Sequence, residues 1–519
     1  MTTNVEKSVY DAVIVMNTEH DQTAIAKVDI EAGEAITDNG IVIEIRNSVK
    51  KGERFAIREI PQGEYVRQNG YAFGRSKGIE KGEIISSLNI INMIPDTDLE
   101  EYSEPADTEY NEELCRKTFS GYPRKDGTAG TRNYYLVIPT SMCASEVALQ
   151  VASSFADNEN LLEKYSSLDG IIAIPHTEGC GCDSEISISR LMRVLAGYAR
   201  HPNVGGCLII DLGCEQTNYR VMHSYMEQEI PKNLKPIDWI TIEENGGVEA
   251  SIKKAREIII GQLRELNENR RQDCPIEKLV VGTECGASDS FSGLTANPLI
   301  GNVADRIVLG KGMVILSEIP ELVGTEQMLH SRFSNLNVSK KFRNLIKWYE
   351  DLAGKLGMTL ESNLVPKNVE GGLFNTYIKS LGAVLKGGTT VIEDVVDYGE
   401  PLVKSGLNIM QGPGGDLESV TGMVASGANM VLFSTGQGTP TGNAICPVIK
   451  VASNSDVFLK LSNDLDFNGG RLFDEYETIE SLGDELLNMV IEVASGKQTA
   501  AEKLKQRQFQ IWTAGKLPL

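Results

Sequence analysis

Cys-x-x-Cys pairs are absent from this sequence, and only five histidines occur in its 519 residues. A zinc ribbon and a histidine-rich metal centre are thereby disfavoured. No apolar run reaches the ~18 residues of a membrane span. The first residues, Met-Thr-Thr-Asn-Val-Glu-Lys, hold no signal-peptide apolar core. Positive charge is scarce: 50 Lys and Arg face 72 Asp and Glu, for a net charge of −22. That balance argues against nucleic acid or an anionic membrane as partner. A cytoplasmic location is expected, where the nine cysteines are thiols or metal ligands rather than disulfides. The rest of the composition is that of a soluble globular chain, long enough for roughly two to four domains.

Residues 1–95 read as a small all-β domain. Short alternating runs at 12–16, 23–28, 41–45, 54–57, 65–67 and 83–86 are punctuated by glycines. An acidic, proline-containing linker covers 96–118. From 119 to 273 strand and helix patterns alternate. Strands are expected at 134–138, 170–174, 207–211 and 238–242, and helices at 145–156, 184–199, 217–228 and from 248 to about 270. A second β/α series fills 274–519. Its strands are expected at 278–282, 313–317, 390–395, 408–411, 430–434 and 448–452, with a helical insert at 339–357 and a last helix near 477–494. Apolar strands separated by helices predict parallel sheets covered on both faces. The expected fold class is α/β: two Rossmann-like parallel β/α domains after the all-β one, with ligands at the carboxyl ends of the strands.

Cys143, Cys180, Cys214 and Cys285 each fall just past the carboxyl end of an expected strand. Equivalent placement in two β/α series predicts that they converge on a metal between the domains. Thiolates from separate strands suit iron, an iron–sulfur cluster or zinc. The alternative is four unrelated buried thiols in Gly-rich turns. Cys115, Cys182, Cys207, Cys274 and Cys446 fit the pattern less well. His176, four residues before Cys180, is a turn residue, a general base or a further ligand. Arg132 precedes the first strand of the middle domain, where it either clamps a carboxylate or pairs with an acidic residue of the linker. The stretch 280–298 runs from a strand through a Gly/Ser/Asp-rich turn into a helix starting near Thr295 or Asn297. That layout points backbone N–H groups at a bound anion. The loop Ser434-Thr-Gly-Gln-Gly-Thr-Pro-Thr-Gly442 offers hydroxyls and amides suited to a polyhydroxy acid, and lacks the spacing of a phosphate-binding P-loop.

Several motifs together are more specific. Asp126-Gly-Thr-Ala-Gly-Thr-Arg-Asn133, His176-Thr-Glu-Gly-Cys180, Leu212-Gly-Cys-Glu215, Glu284-Cys-Gly-Ala-Ser-Asp289, Ser292-Gly-Leu-Thr-Ala-Asn-Pro298, Lys379-Ser-Leu-Gly382 and Phe433-Ser-Thr-Gly-Gln-Gly-Thr-Pro440 resemble the altronate/galactarate dehydratase family. The sulfolactate sulfo-lyases are relatives of that family. The resemblance runs in order over nearly the whole chain, and the N-terminal β unit is similar to the family's SAF-type β-clip domain. It implies a hydro-lyase of sugar-acid catabolism that dehydrates an aldonic or aldaric acid to a 2-keto-3-deoxy acid, with dependence on Fe(II). The sequence departs from the family pattern in four places. The family's His-x-x-Asp reads Thr18-Glu-His-Asp21, and its His-x-His-Asn reads Ser86-Ser-Leu-Asn89. Its Ser-Pro-Gly-Asn-Lys reads Val365-Pro-Lys-Asn-Val369, and its Gly-Arg-Gly-Thr-Pro-Tyr reads Gly436-Gln-Gly-Thr-Pro-Thr441. A lysine and an arginine suited to a sugar-acid carboxylate are thus replaced by Val369 and Gln437.

The expectation is a metal-dependent lyase of a small hydroxy acid, working as a homo-oligomer. Cys143, Cys180, Cys214 and Cys285 would hold Fe(II) or an iron–sulfur cluster. His176, Arg132 and Asp289 would be catalytic, and Thr295, Asn297, Thr435, Gln437, Thr439 and Lys379 would meet the substrate. A lyase of another 2,3-substituted hydroxy acid such as sulfolactate, or a non-catalytic relative that binds a sugar acid or metal, are the alternatives.

Overall fold

The computed structural model describes residues 7–8, 12–38, 41–95, 102, 105–106, 108–156, 164–180, 184–475 and 477–513. Cys182 and much of the expected linker lie outside the described residues. Among the described residues, no helix is long and apolar enough to cross a membrane.

The middle region is built on a four-stranded parallel sheet of β1 (Tyr134–Pro139), β2 (Gly170–Ala173), β3 (Val204–Asp211) and β4 (Ile237–Thr241), in the order β2-β1-β3-β4. Every residue of β1 and β3 is buried, which is why both read as unbroken apolar runs rather than alternating ones. Side chains nevertheless alternate between two cores. Tyr134, Leu136 and Ile138 join one, with α2 (Glu185–Arg200) and α3 (Tyr219–Glu229). Tyr135 and Val137 join the other, with α1 (Met142–Ala156) and α4 (Val248–Glu268).

The C-terminal region carries a seven-stranded parallel sheet of β5 (Val280–Gly286), β6 (Met313–Leu316), β7 (Ile392–Val396), β8 (Gly406–Met410), β9 (Met430–Thr435), β10 (Val448–Ala452) and β11 (Phe467–Asn468). Its order is β7-β8-β6-β5-β9-β10-β11. One face is covered by α5 (Ala296–Leu309), the helix Leu336–Lys355 and α7 (Ile479–Ala494); α6 (Asp416–Ala425) covers the other.

Helices α2 and α6 join the two sheets into one body. A Cβ at Gly197 would stand 2.4 Å from the Ala425 carbonyl oxygen, so only glycine lets these helices pack this closely. Nearer the start of α2, Arg190 donates to Gln411, just ahead of α6 (3.2 Å). The two helices therefore run in the same direction. Each begins at the carboxyl edge of its own sheet, so both carboxyl edges open on the same side of the molecule.

The N-terminal unit is a set of short, mostly antiparallel strands, among them Thr23–Ala26, Arg54–Ala56 and Tyr71–Ser76. It docks on C-terminal loops and the helix Thr376–Ala383. Ile60, Phe73 and Ile85 pack on Leu373, Ile378 and Leu381, and Ile25 packs on Phe291 and Leu294. Arg54 is buried in this seam. Its Nε donates to Gln68 Oε1 (2.7 Å), and its Nη1 donates to Ser290 Oγ (2.9 Å) and the Gly372 carbonyl (2.7 Å).

Candidate active site

Beyond the carboxyl ends of β5 and β6 the chain buries more charge than anywhere else among the described residues. Cys285, the next-to-last residue of β5, lies beside Glu318 and Glu321, which follow β6. Lys386 Nζ stands 2.8 Å from Cys285 Sγ and is ion-paired with Glu318; both residues are fully buried. Lys379 Nζ pairs with Glu321 Oε1 at 2.7 Å, and the Cys285 thiol donates to Glu321 Oε2 at 3.3 Å. Glu318 holds a left-handed backbone (φ 62°), as does Ala287 (φ 50°). Neither is glycine, so these loops carry strain of the kind that collects at working sites.

Burial and neighbouring charge set the protonation of this network. Burial, helped by the adjacent carboxylate of Glu318, pushes the Cys285 thiol well above its ordinary value. Burial pushes Glu318 up to about 7, against the pull of Lys386. Burial also works on Glu321, but Lys379 and Lys386 hold that carboxyl below its usual range. Burial disfavours the Lys386 ammonium, yet Cys285, Glu318 and Glu284 outweigh it and keep the lysine charged. Glu318 is thus the group poised to exchange a proton near neutral pH.

The network borders a small closed pocket lined by Cys285, Lys379, Asp289, Asn297, Arg54 and Gln68, so the N-terminal unit supplies one wall. Its free volume is about 10 Å³, room for about one water. Asp289 also lines an open groove of about 350 Å³ on its other side, with Lys51, Lys367, Gln437 and Asn454. That volume suits a small ligand. The Asp289 carboxylate accepts from Ser292 N (2.8 Å), Ser292 Oγ (2.9 Å), Ser453 Oγ (2.9 Å) and Asn454 Nδ2 (3.1 Å). It stands at a fixed place between pocket and groove.

Other expected residues fall elsewhere. Arg132 is buried at the amino edge of its sheet, opposite the ligand edge. It makes a two-point contact with Glu502 (2.7 and 2.8 Å) and donates to the carbonyls of Thr131, Val493 and Lys497. A residue ahead of a parallel strand cannot reach the carboxyl edge, so the catalytic expectation for Arg132 is corrected, and its partner is not a linker acid. His176 has both ring nitrogens engaged: Nε2 with the Pro139 carbonyl (2.8 Å), and Nδ1 with the Glu178 N–H (3.2 Å). It binds two loops together and is not a free base. Thr295 Oγ1 donates to the Phe291 and Ser453 carbonyls (2.9 and 2.6 Å), and Thr435 Oγ1 accepts from Gly438 N (2.9 Å); both threonines are buried braces. Thr439 pairs with Thr441 inside its own loop. Lys379 and Asn297 do face the pocket, and Gln437 faces the groove.

The four thiols do not meet. Cys285 is buried in the charged network, whereas Cys143, in the first turn of α1, and Cys180 and Cys214, on the loops after β2 and β3, are exposed. Among the described residues, no three of these four cysteines bring their ligand atoms within 4.8 Å of one another. Cys285, Glu318 and Glu321 place ligand atoms within 4.8 Å of one another. A dication there would lie against the ammonium groups of Lys386 and Lys379, so this trio does not fit a resident metal. Cys143, Cys180 and Cys214 are exposed on the other sheet, and thiolate is the kind of ligand that suits iron.

Motif reading missed Arg54, Glu318, Glu321 and Lys386. The two glutamates were within reach, since Ser317-Glu318-Ile-Pro-Glu321 follows a strand by the same rule that marked the cysteines. Arg54 and Lys386 sit in no local pattern; only the fold brings them in.

Family comparisons agree with this layout. Residues 11–93 match the altronate/galactarate dehydratase SAF domain, residues 121–267 the second domain of D-galactarate dehydratase/altronate hydrolase, and residues 276–517 the C-terminal domain of D-galactarate/altronate dehydratase. An altronate dehydratase of Bacillus subtilis (strain 168) is 32% identical over 95% of this chain and 97% of its own. A galactarate dehydratase (L-threo-forming) of Escherichia coli (strain K12) is 31% identical over 89% of this chain and 91% of its own. The beta subunit of a (2R)-sulfolactate sulfo-lyase from Chromohalobacter salexigens is 30% identical over 76% of this chain and 97% of its own. With matches that span all three structural units in order, the chain belongs to the D-galactarate/altronate dehydratase family.

Proposed function

We propose that the protein is a hydro-lyase that removes water from a polyhydroxy carboxylic acid, of the aldonic or aldaric type, to give a 2-keto-3-deoxy acid. Dehydratases among its relatives support the reaction class, and the buried Cys285–Lys386–Glu318–Glu321–Lys379 network carries the assignment of the site. Elimination needs a base for the proton on the carbon next to the carboxylate, and positive charge to stabilise the enolate-like carboxylate that forms. Lys379, which lines the pocket, supplies that charge, and Arg54 adds to it from the N-terminal unit. Glu318, one contact behind Cys285, accepts the proton. Asp289 takes a substrate hydroxyl at the mouth of the groove. The departing hydroxyl leaves as water with the proton that Glu318 took up, which returns Glu318 to its ionised form, and the enol product tautomerises to the keto acid. Cys143, Cys180 and Cys214 would be the residues to hold an iron, which would supply a Lewis acid for carboxylate and hydroxyl oxygens. The open groove beside Asp289, of about 350 Å³, is the place where the substrate would lie.

Gln437 and Val369 stand where the family pattern has an arginine and a lysine. Charged contacts of this kind contribute about 1.5–3 kcal/mol each. Altronate and galactarate themselves are therefore expected to be weaker substrates than an acid fitted to a Gln437-lined groove.

A pH profile tests the role of Glu318. Its carboxyl is raised to about 7, so the ionised base is lost as pH falls through that value and kcat/KM should fall with it. Glu318→Gln should remove this inflection and lower kcat by roughly 100- to 10,000-fold. An unchanged profile in the variant would take Glu318 out of the proton transfer.

A further inference from the structure

We propose that Arg190, on α2 of the middle region, is a positioning residue that fixes the Glu318 carboxyl by way of Gln411 and Gly412. The proposal rests on the reading of Glu318 as the base and names what holds that base in place.

Arg190 is 5% exposed. Among the described residues no carboxylate pairs with it; Asp397 pairs with Arg193 instead (3.6 Å). Its Nη1 has no hydrogen-bond partner among the described residues. The guanidinium lies 3.9 Å from the centre of the Trp512 ring, with Trp348 and Tyr398 at 5.8 and 5.9 Å. Trp512 is itself fixed: it stacks on Tyr349, and its backbone N–H donates to Tyr398 Oη (3.2 Å). Stacking on these faces sets the plane of the guanidinium. That plane aims a donor, and Nη2 donates to Gln411 Oε1 (3.2 Å), a contact between two buried side chains. Aromatic faces and one neutral amide compensate a buried charge poorly. Stability therefore does not account for this arginine, and placement does.

Gln411 opens the turn from β8 to α6, and its own N–H donates to the Val396 carbonyl (2.8 Å). The next residue, Gly412, touches both neighbours of Glu318. Its carbonyl accepts from Ile319 N (3.1 Å), and a Cβ on it would collide with Ser317 Oγ. Ser317 Oγ also meets Ser419 Oγ of α6 (3.0 Å). Glu318 stands between these two held residues with its left-handed backbone (φ 62°). A glutamate keeps that conformation only where its surroundings impose it. Gly412 is part of what imposes it, and Arg190 holds the residue before Gly412. The groups that face the Glu318 carboxyl are Lys386, Cys285, Glu321, Glu284 and Asp416. Arg190 reaches it only through the turn at 411–412, so its effect is on where the base stands.

The test is a double-mutant cycle of Arg190→Met and Gln411→Leu on the full chain, prepared anaerobically with ferrous iron, with an aldonic or aldaric acid as substrate. Each single variant should lower kcat roughly 10- to 100-fold with KM unchanged, the loss expected when a reacting group is misplaced by about an ångström. The double variant should be no slower than either single one, because both break the same link. It should also melt with the parent chain, since removing both partners strands neither. The inflection of kcat/KM near pH 7 should move upward in all three, because a displaced Glu318 feels less of the Lys386 charge that holds its carboxyl down. Parent kcat in the double variant, or losses that multiply across the cycle, would overturn the link. A lowered melting temperature with the inflection unmoved would make Arg190 a structural residue and overturn it as well. Glu318→Gln in the same assay separates the two claims. An inflection that survives in Glu318→Gln removes the base, and this proposal with it. An inflection lost there, with parent kcat and inflection in Arg190→Met, counts against the positioning role alone.

Discussion

Lys386→Ala should unfold the C-terminal region several degrees earlier than the parent chain and abolish turnover. The lysine is fully buried and touches Cys285 and Glu318. Removing it leaves the Glu318 carboxylate without a cation in the interior, beside Glu284, whose carboxyl burial already pushes well above its usual range. Breaking a buried pair this way costs about 3–5 kcal/mol. The loss has a sign in pH. Glu318 titrates from its folded value of about 7, and without Lys386 that value rises further. At low pH the carboxyl is protonated and no charge is stranded, so the stability deficit of Lys386→Ala should shrink as pH falls below 7 and grow above it. Thermal melts of parent and variant at several pH values check this. Equal melting temperatures at alkaline pH would show that Lys386 is not the counter-ion of the network.

Arg132→Lys should also lower the melting temperature, and it should do so without a selective effect on substrate. The guanidinium makes five hydrogen bonds, two of them to Glu502, which lies far along the chain in the C-terminal segment. An ammonium offers three donors in no planar fork and cannot satisfy both Glu502 oxygens and three carbonyls. Arg132→Ala, which strands Glu502, should cost about 3–5 kcal/mol. In whatever folded protein remains, KM should match that of the parent chain. A normal melting temperature with a raised KM would return Arg132 to the substrate site.

The Arg132 case shows where sequence reading stops. Strands β1 to β10 were legible because each is a short apolar run bounded by glycine, proline or charge, and the rule that ligands gather past strand ends marked Cys143, Cys180, Cys214 and Cys285. The same rule places Arg132 at the wrong edge, since it precedes its strand. What no local pattern carries is which loops face one another. That is decided by α2 packing on α6 through Gly197 and Ala425, and by the N-terminal unit bringing Arg54 against Ser290 and Gly372. Four cysteines in equivalent positions therefore divide between two sheets, with Cys285 buried and Cys143, Cys180 and Cys214 exposed. The two residues that the N-terminal motifs keep, Asp21 and Asn89, have local structural roles. Asp21 accepts from the backbone N–H groups of Asn17, Asn69 and Gly70 (2.9, 2.9 and 2.8 Å), and Asn89 closes its own turn. Both work as turn residues here, while Arg54 and Gln68 are the side chains that the N-terminal unit turns toward the pocket.

The central claim is that this chain eliminates water from a polyhydroxy acid. The direct test is incubation of the protein, anaerobically prepared with ferrous iron, in deuterated water with a panel of aldonic and aldaric acids that includes altronate and galactarate. The account predicts a 2-keto-3-deoxy acid from at least one member, with deuterium at the carbon beside the new keto group, and loss of that product in Glu318→Gln. A folded protein so prepared that forms no keto acid from any member of the panel would contradict it.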